Sequence, residues 1–87
     1  MDEGRSVRGK RVVVLLAPGT GGCAVVAGRR VGGAVQRNRA RRILRAAWHD
    51  VAPLVGGRHD VVLVARPGIQ GAKAQDLVAE MTELLAR

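Results

Sequence analysis

Ala34-Val35-Gln36-Arg37-Asn38-Arg39-Ala40-Arg41-Arg42-Ile43-Leu44-Arg45-Ala46-Ala47-Trp48-His49-Asp50-Val51 is the stretch on which the fold turns. At about 100° per residue, Ile43, Ala47, Ala40, Val51 and Leu44 fall in one continuous arc. Arg37, Asn38, Arg39, Arg41, Arg42 and Arg45 fill most of the rest. The spacing predicts an amphipathic helix from Ala34 to about Val51, with a wide cationic face and Trp48 at its border. Pro53 and Gly56-Gly57 close it. Such a face is uncomfortable alone. Arg37/Arg41 and Arg41/Arg45 are i,i+4 pairs, and Arg39/Arg42 and Arg42/Arg45 are i,i+3 pairs. Together these like-charge pairs cost on the order of 1–2 kcal/mol. No acid lies between Gln36 and Arg45. The natural counterpart is an anion outside the chain, and a polyphosphate backbone supplies one.

The charge is uneven beyond the helix as well. Between Gly4 and His49 stand eleven basic residues and no Asp or Glu, whereas from Asp50 onward four basic residues meet five acids. The first half reads as a binding surface and the second as scaffold. A net charge of +8 over 87 residues suits a nucleic-acid-binding domain. That length allows one domain, residues 1–87, and one modest core. With Cys23 the only cysteine, no internal disulfide can form, and a reducing compartment fits. Cys23 itself reads as a small buried strand residue. The acidic start Met1-Asp2-Glu3-Gly4 has no apolar segment of the kind a signal peptide needs. No apolar run approaches a membrane span of about 20 residues. Phe and Tyr are absent, which is unusual for an RNA binder that stacks bases on rings.

Around the helix, Arg11–Ala17 is short and β-branched and reads as a buried strand. Pro18–Gly22 is a turn, and Cys23–Ala27 is a second strand expected to pair antiparallel with the first. Gly28–Gly33 connects to the helix and carries Arg29 and Arg30. Asp60–Arg66 is a third strand stopped by Pro67-Gly68. Lys73–Arg87 is a second helix, with Ala74, Leu77, Val78, Met81, Leu84 and Leu85 inward and Asp76, Glu80 and Glu83 outward. The order strand, strand, helix, strand, helix predicts an α+β fold with helices packed on a small sheet. The unit from Cys23 to Arg66 can place two strands parallel.

Several chemistries find little support. The loop Pro18–Gly22 follows a strand but lacks the Gly-Lys-Ser/Thr ending of a phosphate loop, and G-x-G-x-x-G is not met. His49 and His59 have no second cysteine and no acid cluster to make a metal site. Ser6 is the only serine and lies among basic residues, so a hydrolytic triad is not indicated. No catalytic residue and no metal ligand is expected in this chain. Asn38 reads either as a helix N-cap or as a polar member of the cationic face. Gly32-Gly33 reads either as simple chain reversal or as backbone N–H groups open to an anion at the helix start.

The run from Arg29-Arg30-Val31-Gly32 through Ala34-Val35-Gln36-Arg37-Asn38-Arg39 to Arg41-Arg42, Arg45 and Trp48 resembles the signature of the bacterial ribonuclease P protein subunit. Asp60-Val61-Val62-Leu63-Val64-Ala65-Arg66-Pro67 resembles that family's following strand, and the match spans residues 4–87. The resemblance implies a fold like ribosomal protein S5 domain 2, with a left-handed βαβ crossover against the usual right-handed rule. It implies a cytoplasmic accessory subunit of an endoribonuclease. Such a subunit binds the catalytic RNA and precursor tRNA, and the RNA itself uses Mg2+ to release the mature tRNA 5′ end. Arg37, Asn38, Arg39, Arg41, Arg42 and Arg45 match the helix facing that RNA, Arg29 and Arg30 match the basic pair before it, and Arg66 matches an arginine ending the next strand. The chain departs from the family where an N-terminal helix and first strand bearing phenylalanines are missing or shortened. Leu15 stands where a Tyr is common, and an Arg usual near Gly22 is absent. These positions belong to the family's leader-binding cleft. A general structured-RNA or ribosomal-type module is the alternative, and an adaptor for anionic membranes or acidic proteins is a third reading.

Overall fold

The computed structural model describes residues 4–86. Four strands form one sheet: β1 (Arg5–Arg8), β2 (Val12–Pro18), β3 (Cys23–Val26) and β4 (His59–Ala65), in the order β1-β2-β4-β3. Helix α1 (Ala34–Val51) joins β3 to β4, and α2 (Ala74–Leu85) follows β4. Short 3-10 turns lie at Arg29–Val31, Ala52–Leu54 and Pro67–Ile69. The second helix ends two residues before Arg87, which lies outside the described residues, as does the acidic segment Met1–Glu3.

The expected pairing of β3 with β2 is not what forms. β4 lies between them, antiparallel to β2 (Val14 opposite Leu63) and parallel to β3 (Val25 opposite Leu63). The loop after β2 shows why. The Asp60 carboxylate accepts the Thr20 N–H at 3.1 Å and the Gly22 N–H at 2.9 Å, and the Gly19 N–H donates to the Arg58 carbonyl at 2.9 Å. The loop is thus wrapped around the start of β4 and delivers β3 to its far side. A Cβ at Gly19 would lie 2.1 Å from the Asp60 carboxyl, so a larger residue there would displace the carboxylate that grips the loop. The parallel placement of the strands flanking α1 is as expected.

The strand β1 was not foreseen. Arg5-Ser6-Val7-Arg8 offers one apolar residue in four, too little for a period-2 signal. It forms as a charged edge strand on β2, in the manner of edges that discourage further pairing, with Arg8 opposite Val13 and the Gly9 N–H on the Val12 carbonyl.

Both helices contribute to one core. Val12, Val14 and Leu16 of β2, Val61, Leu63 and Ala65 of β4, Ala40, Leu44, Ala47 and Val51 of α1, and Leu77, Met81 and Leu84 of α2 are buried in a single cluster. The α1 arc is therefore as predicted, with Ile43 half-buried at its margin. The strands are not buried on both faces, as their continuous apolar runs suggested. Residues of the opposite parity form a second face. Leu15 is 38% exposed, Val26 is 46% exposed, and Val13, Val62 and Val64 are half-buried. Cys23 is exposed rather than buried, because it starts a four-residue edge strand where only β4 flanks it.

α2 begins with the Asp76 carboxylate accepting the Lys73 N–H at 2.9 Å, half of a capping box and a favourable charge at a helix start. Glu80 does not point outward as expected. Its carboxylate accepts the Arg11 N–H at 2.9 Å and pairs with the Arg11 guanidinium at 3.2 Å. This bond joins α2 to the β1–β2 turn.

Candidate nucleic-acid interface

α1 carries the densest charge. Its N-cap is Gly33, so Asn38 is not a cap; it is exposed within the second turn and accepts a hydrogen bond from the Arg41 guanidinium. Gly32 precedes the helix at φ 142°, and a Cβ there would lie 2.9 Å from both Gln36 Cβ and Gln70 Nε2. A tight chain reversal therefore accounts for that glycine.

The wheel alone treats the arginines as equivalent, and the structure separates them. Arg42 and Arg45 are exposed, whereas Arg37 and Arg41 are half-buried, as is Arg39. Arg39 turns toward α2 and donates to the Ala72 carbonyl at 2.6 Å. That bond ties α1 to the segment before α2 and gives Arg39 a structural role. None of the five α1 arginines forms an ion pair with a described residue. Among the described residues the side-chain partners of these arginines are neutral acceptors, the Asn38 amide and the Ala72 carbonyl.

Arg29 and Arg30 are exposed on the 3-10 turn, where buried Val31 anchors them. With Arg66 they line a groove of about 470 Å³ whose floor includes Val26 and Val64 from the second sheet face. Arg66 is half-buried and donates to the Gly9 carbonyl at 2.6 Å, so part of its donor capacity serves the β1–β2 turn. The expected site residues thus divide between the ridge of α1, with Arg37, Asn38, Arg41, Arg42 and Arg45, and a basic groove at the β3–β4 edge, with Arg29, Arg30 and Arg66.

Two features escaped the sequence reading. One is the aliphatic second face of the sheet, whose signal was present: β2 and β4 are apolar at both parities, and two helices cover only one face. The other is a depression at the end of α1, lined by Trp48, His49 and His59, from elements that are distant in sequence. Trp48 is half-buried against the core margin. Burial pushes the Cys23 thiol above its ordinary range, and nearby Arg45 pulls in the opposite direction. Among the described residues no group of three or more His, Cys, Asp or Glu side chains converges. No described helix is long and apolar enough to cross a membrane.

Comparison with known proteins gives a consistent result. The family model described as Ribonuclease P matches residues 1–87. A ribonuclease P protein component from Chloroflexus aurantiacus is 39% identical over 87 residues, covering 95% of this chain and 64% of the relative. One from Acidothermus cellulolyticus is 40% identical over 91 residues, covering 98% and 75%. The chain therefore spans less than two thirds of the Chloroflexus protein. Among solved structures, the RNase P protein from Thermotoga maritima superposes with a TM-score of 0.78 at 21% identity, over 95% of this chain and 82% of that one. The Staphylococcus aureus RNase P protein gives 0.75 at 20% identity, over 95% and 79%. At such identities these two establish the shared fold.

Proposed function

The chain belongs to the ribonuclease P protein family, and from that membership we propose that it is the accessory subunit of a ribonucleoprotein endoribonuclease that matures the 5′ end of tRNA. The observation that carries the proposal is the α1 ridge, a set of arginines without ion pairs among the described residues, held rigid by Leu44, Ala47 and Val51 in the core. A rigid cationic ridge presents its charge to a phosphate backbone without first ordering a flexible segment. On this reading Arg37, Asn38, Arg41, Arg42 and Arg45 bind the catalytic RNA, Arg29 and Arg30 extend the contact, and Arg39 and Arg66 hold the surface in shape while offering their remaining donors.

On this reading the Mg2+ of the reaction is held by the RNA, and the chain's part is positional and electrostatic. A polycation reduces the repulsion between enzyme RNA and substrate RNA, and it raises the local concentration of substrate. The second sheet face is the candidate surface for the precursor tRNA leader. Its Leu15, Val26, Val62 and Val64 offer van der Waals contact and no ring for stacking. A cytoplasmic, reducing location completes the proposal.

The test is cleavage of precursor tRNA by a bacterial ribonuclease P RNA at limiting Mg2+, with and without this chain. The proposal expects faster 5′ cleavage with the chain. Binding without any gain in cleavage would instead indicate a general structured-RNA module.

A further inference from the structure

Trp48 is the chain's one aromatic residue. Beyond its contact with the core, it lines a cavity of about 380 Å³ together with His49, Pro53, His59, Gly22 and Gly57. That volume lies toward the small end of ligand pockets, which span about 300–1,000 Å³. The two glycine-bearing loops keep its mouth open. A Cβ at Gly57 would meet nothing within 4 Å, and Gly56 holds φ at 85°. His59 Nδ1 is shielded from solvent and has no hydrogen-bond partner among the described residues.

The position matters as much as the shape. Arg41, Arg45 and His49 follow one another at i,i+4 spacing, so the cationic ridge of α1 runs to this cavity. Arg45 acts on the Cys23 thiol, which places its charge beside the start of β3, one residue from the cavity-lining Gly22. A polyanion lying on Arg41 and Arg45 therefore has the Trp48 cavity at its next step along the helix.

Building on the RNA-binding reading above, we propose that this cavity receives one unstacked base of the bound RNA, which stacks on Trp48 while its flanking phosphates lie on Arg41 and Arg45. Phosphate contacts alone carry no base information. A splayed base on an aromatic side chain is the usual way a protein reads single-stranded RNA, and here it would fix where along the RNA the ridge docks.

Because Trp48 is the only tryptophan, its emission reports the cavity directly. The full chain is titrated with bacterial ribonuclease P RNA, with a single-stranded RNA oligonucleotide and with linear inorganic polyphosphate, binding being followed independently by gel mobility. The expected result is that both RNAs quench Trp48 emission and shield it from acrylamide, while polyphosphate binds with emission unchanged. Gly57 lines the cavity and a Cβ there meets nothing within 4 Å, so Gly57→Leu adds bulk at the cavity wall without a Cβ clash. It should weaken RNA binding about tenfold, equal to about 1.4 kcal/mol, and leave polyphosphate binding unaltered. Trp48→Leu should do the same, provided its circular dichroism is native. RNA that binds without changing Trp48 emission, or Gly57→Leu binding RNA like the parent chain, overturns the base-pocket proposal and leaves the ridge reading intact. Failure of the oligonucleotide alone to bind overturns the base pocket, and failure of the ribonuclease P RNA to bind overturns both.

Discussion

Replacing Arg41 and Arg45 together with Ala separates the stability of this protein from its RNA affinity. The two residues take part in three of the four like-charge pairs on α1: Arg37/Arg41, Arg41/Arg45 and Arg42/Arg45. Removing them relieves about 0.6–1.5 kcal/mol of repulsion at about 0.2–0.5 kcal/mol per pair. Against this stands the hydrogen bond from Arg41 to the exposed Asn38, together with packing of the half-buried Arg41 stem. An exposed bond of this kind contributes little, so the free double mutant should be as stable as the parent or more stable by up to about 1 kcal/mol. In a domain of this size that corresponds to a Tm rise of about 0–8 °C. RNA binding should move the other way. Each lost phosphate contact reduces the slope of log K against log salt by about 0.7–0.9, so the double mutant should lose about 1.4–1.8 from it. Thermal denaturation of the free protein and fluorescence anisotropy with labelled ribonuclease P RNA between about 50 and 200 mM salt measure the two quantities. A Tm lowered by more than about 4 °C, or an unchanged salt slope, would refute the argument that these side chains form an exposed phosphate-binding ridge.

Leu44→Ala empties a fully buried site where α1 meets the sheet; a loss of about 2–5 kcal/mol is expected, read as a lower urea midpoint. Gly9→Ala places a Cβ 2.3 Å from the Glu80 carboxylate and 3.0 Å from Leu84. The carboxylate must then leave the Arg11 N–H, lowering stability by about 1–3 kcal/mol, and Glu80→Ala combined with Gly9→Ala should be less than additive. Cys23 is exposed but partly desolvated, which raises its pKa, so it should alkylate more slowly than a free thiol at neutral pH and faster as pH rises. Arg45→Ala removes the cation that favours the thiolate, so at fixed pH the reaction should slow further; an unchanged rate would show that Arg45 does not act on Cys23.

The helices were legible because their signal is local. The arc of Ala40, Leu44, Ala47 and Val51, the stop at Pro53 and Gly56, and the Leu77–Met81–Leu84 stripe are written within single elements. Strand order was not, because the insertion of β4 between β2 and β3 depends on Asp60 gripping the Thr20 and Gly22 amides from 38–40 residues away. The same limit applies to the site. Sequence pattern grouped the α1 arginines on one face. It could not show that Arg39 is committed to Ala72 or Arg66 to Gly9, since both bonds cross between elements. The outward assignment of Glu80 failed for that reason too, its partner Arg11 being 69 residues away.

The central claim is that the α1 ridge is the surface that meets the catalytic RNA. Cys23 is exposed, singular and close to Arg45, so an iron–EDTA group attached to it directs hydroxyl radicals at whatever RNA lies on the ridge. With bacterial ribonuclease P RNA the account predicts strand cuts confined to one region of the folded RNA and lost in the Arg41→Ala/Arg45→Ala protein. Cuts scattered evenly along the RNA, or a complex that forms with no cuts at all, would contradict it.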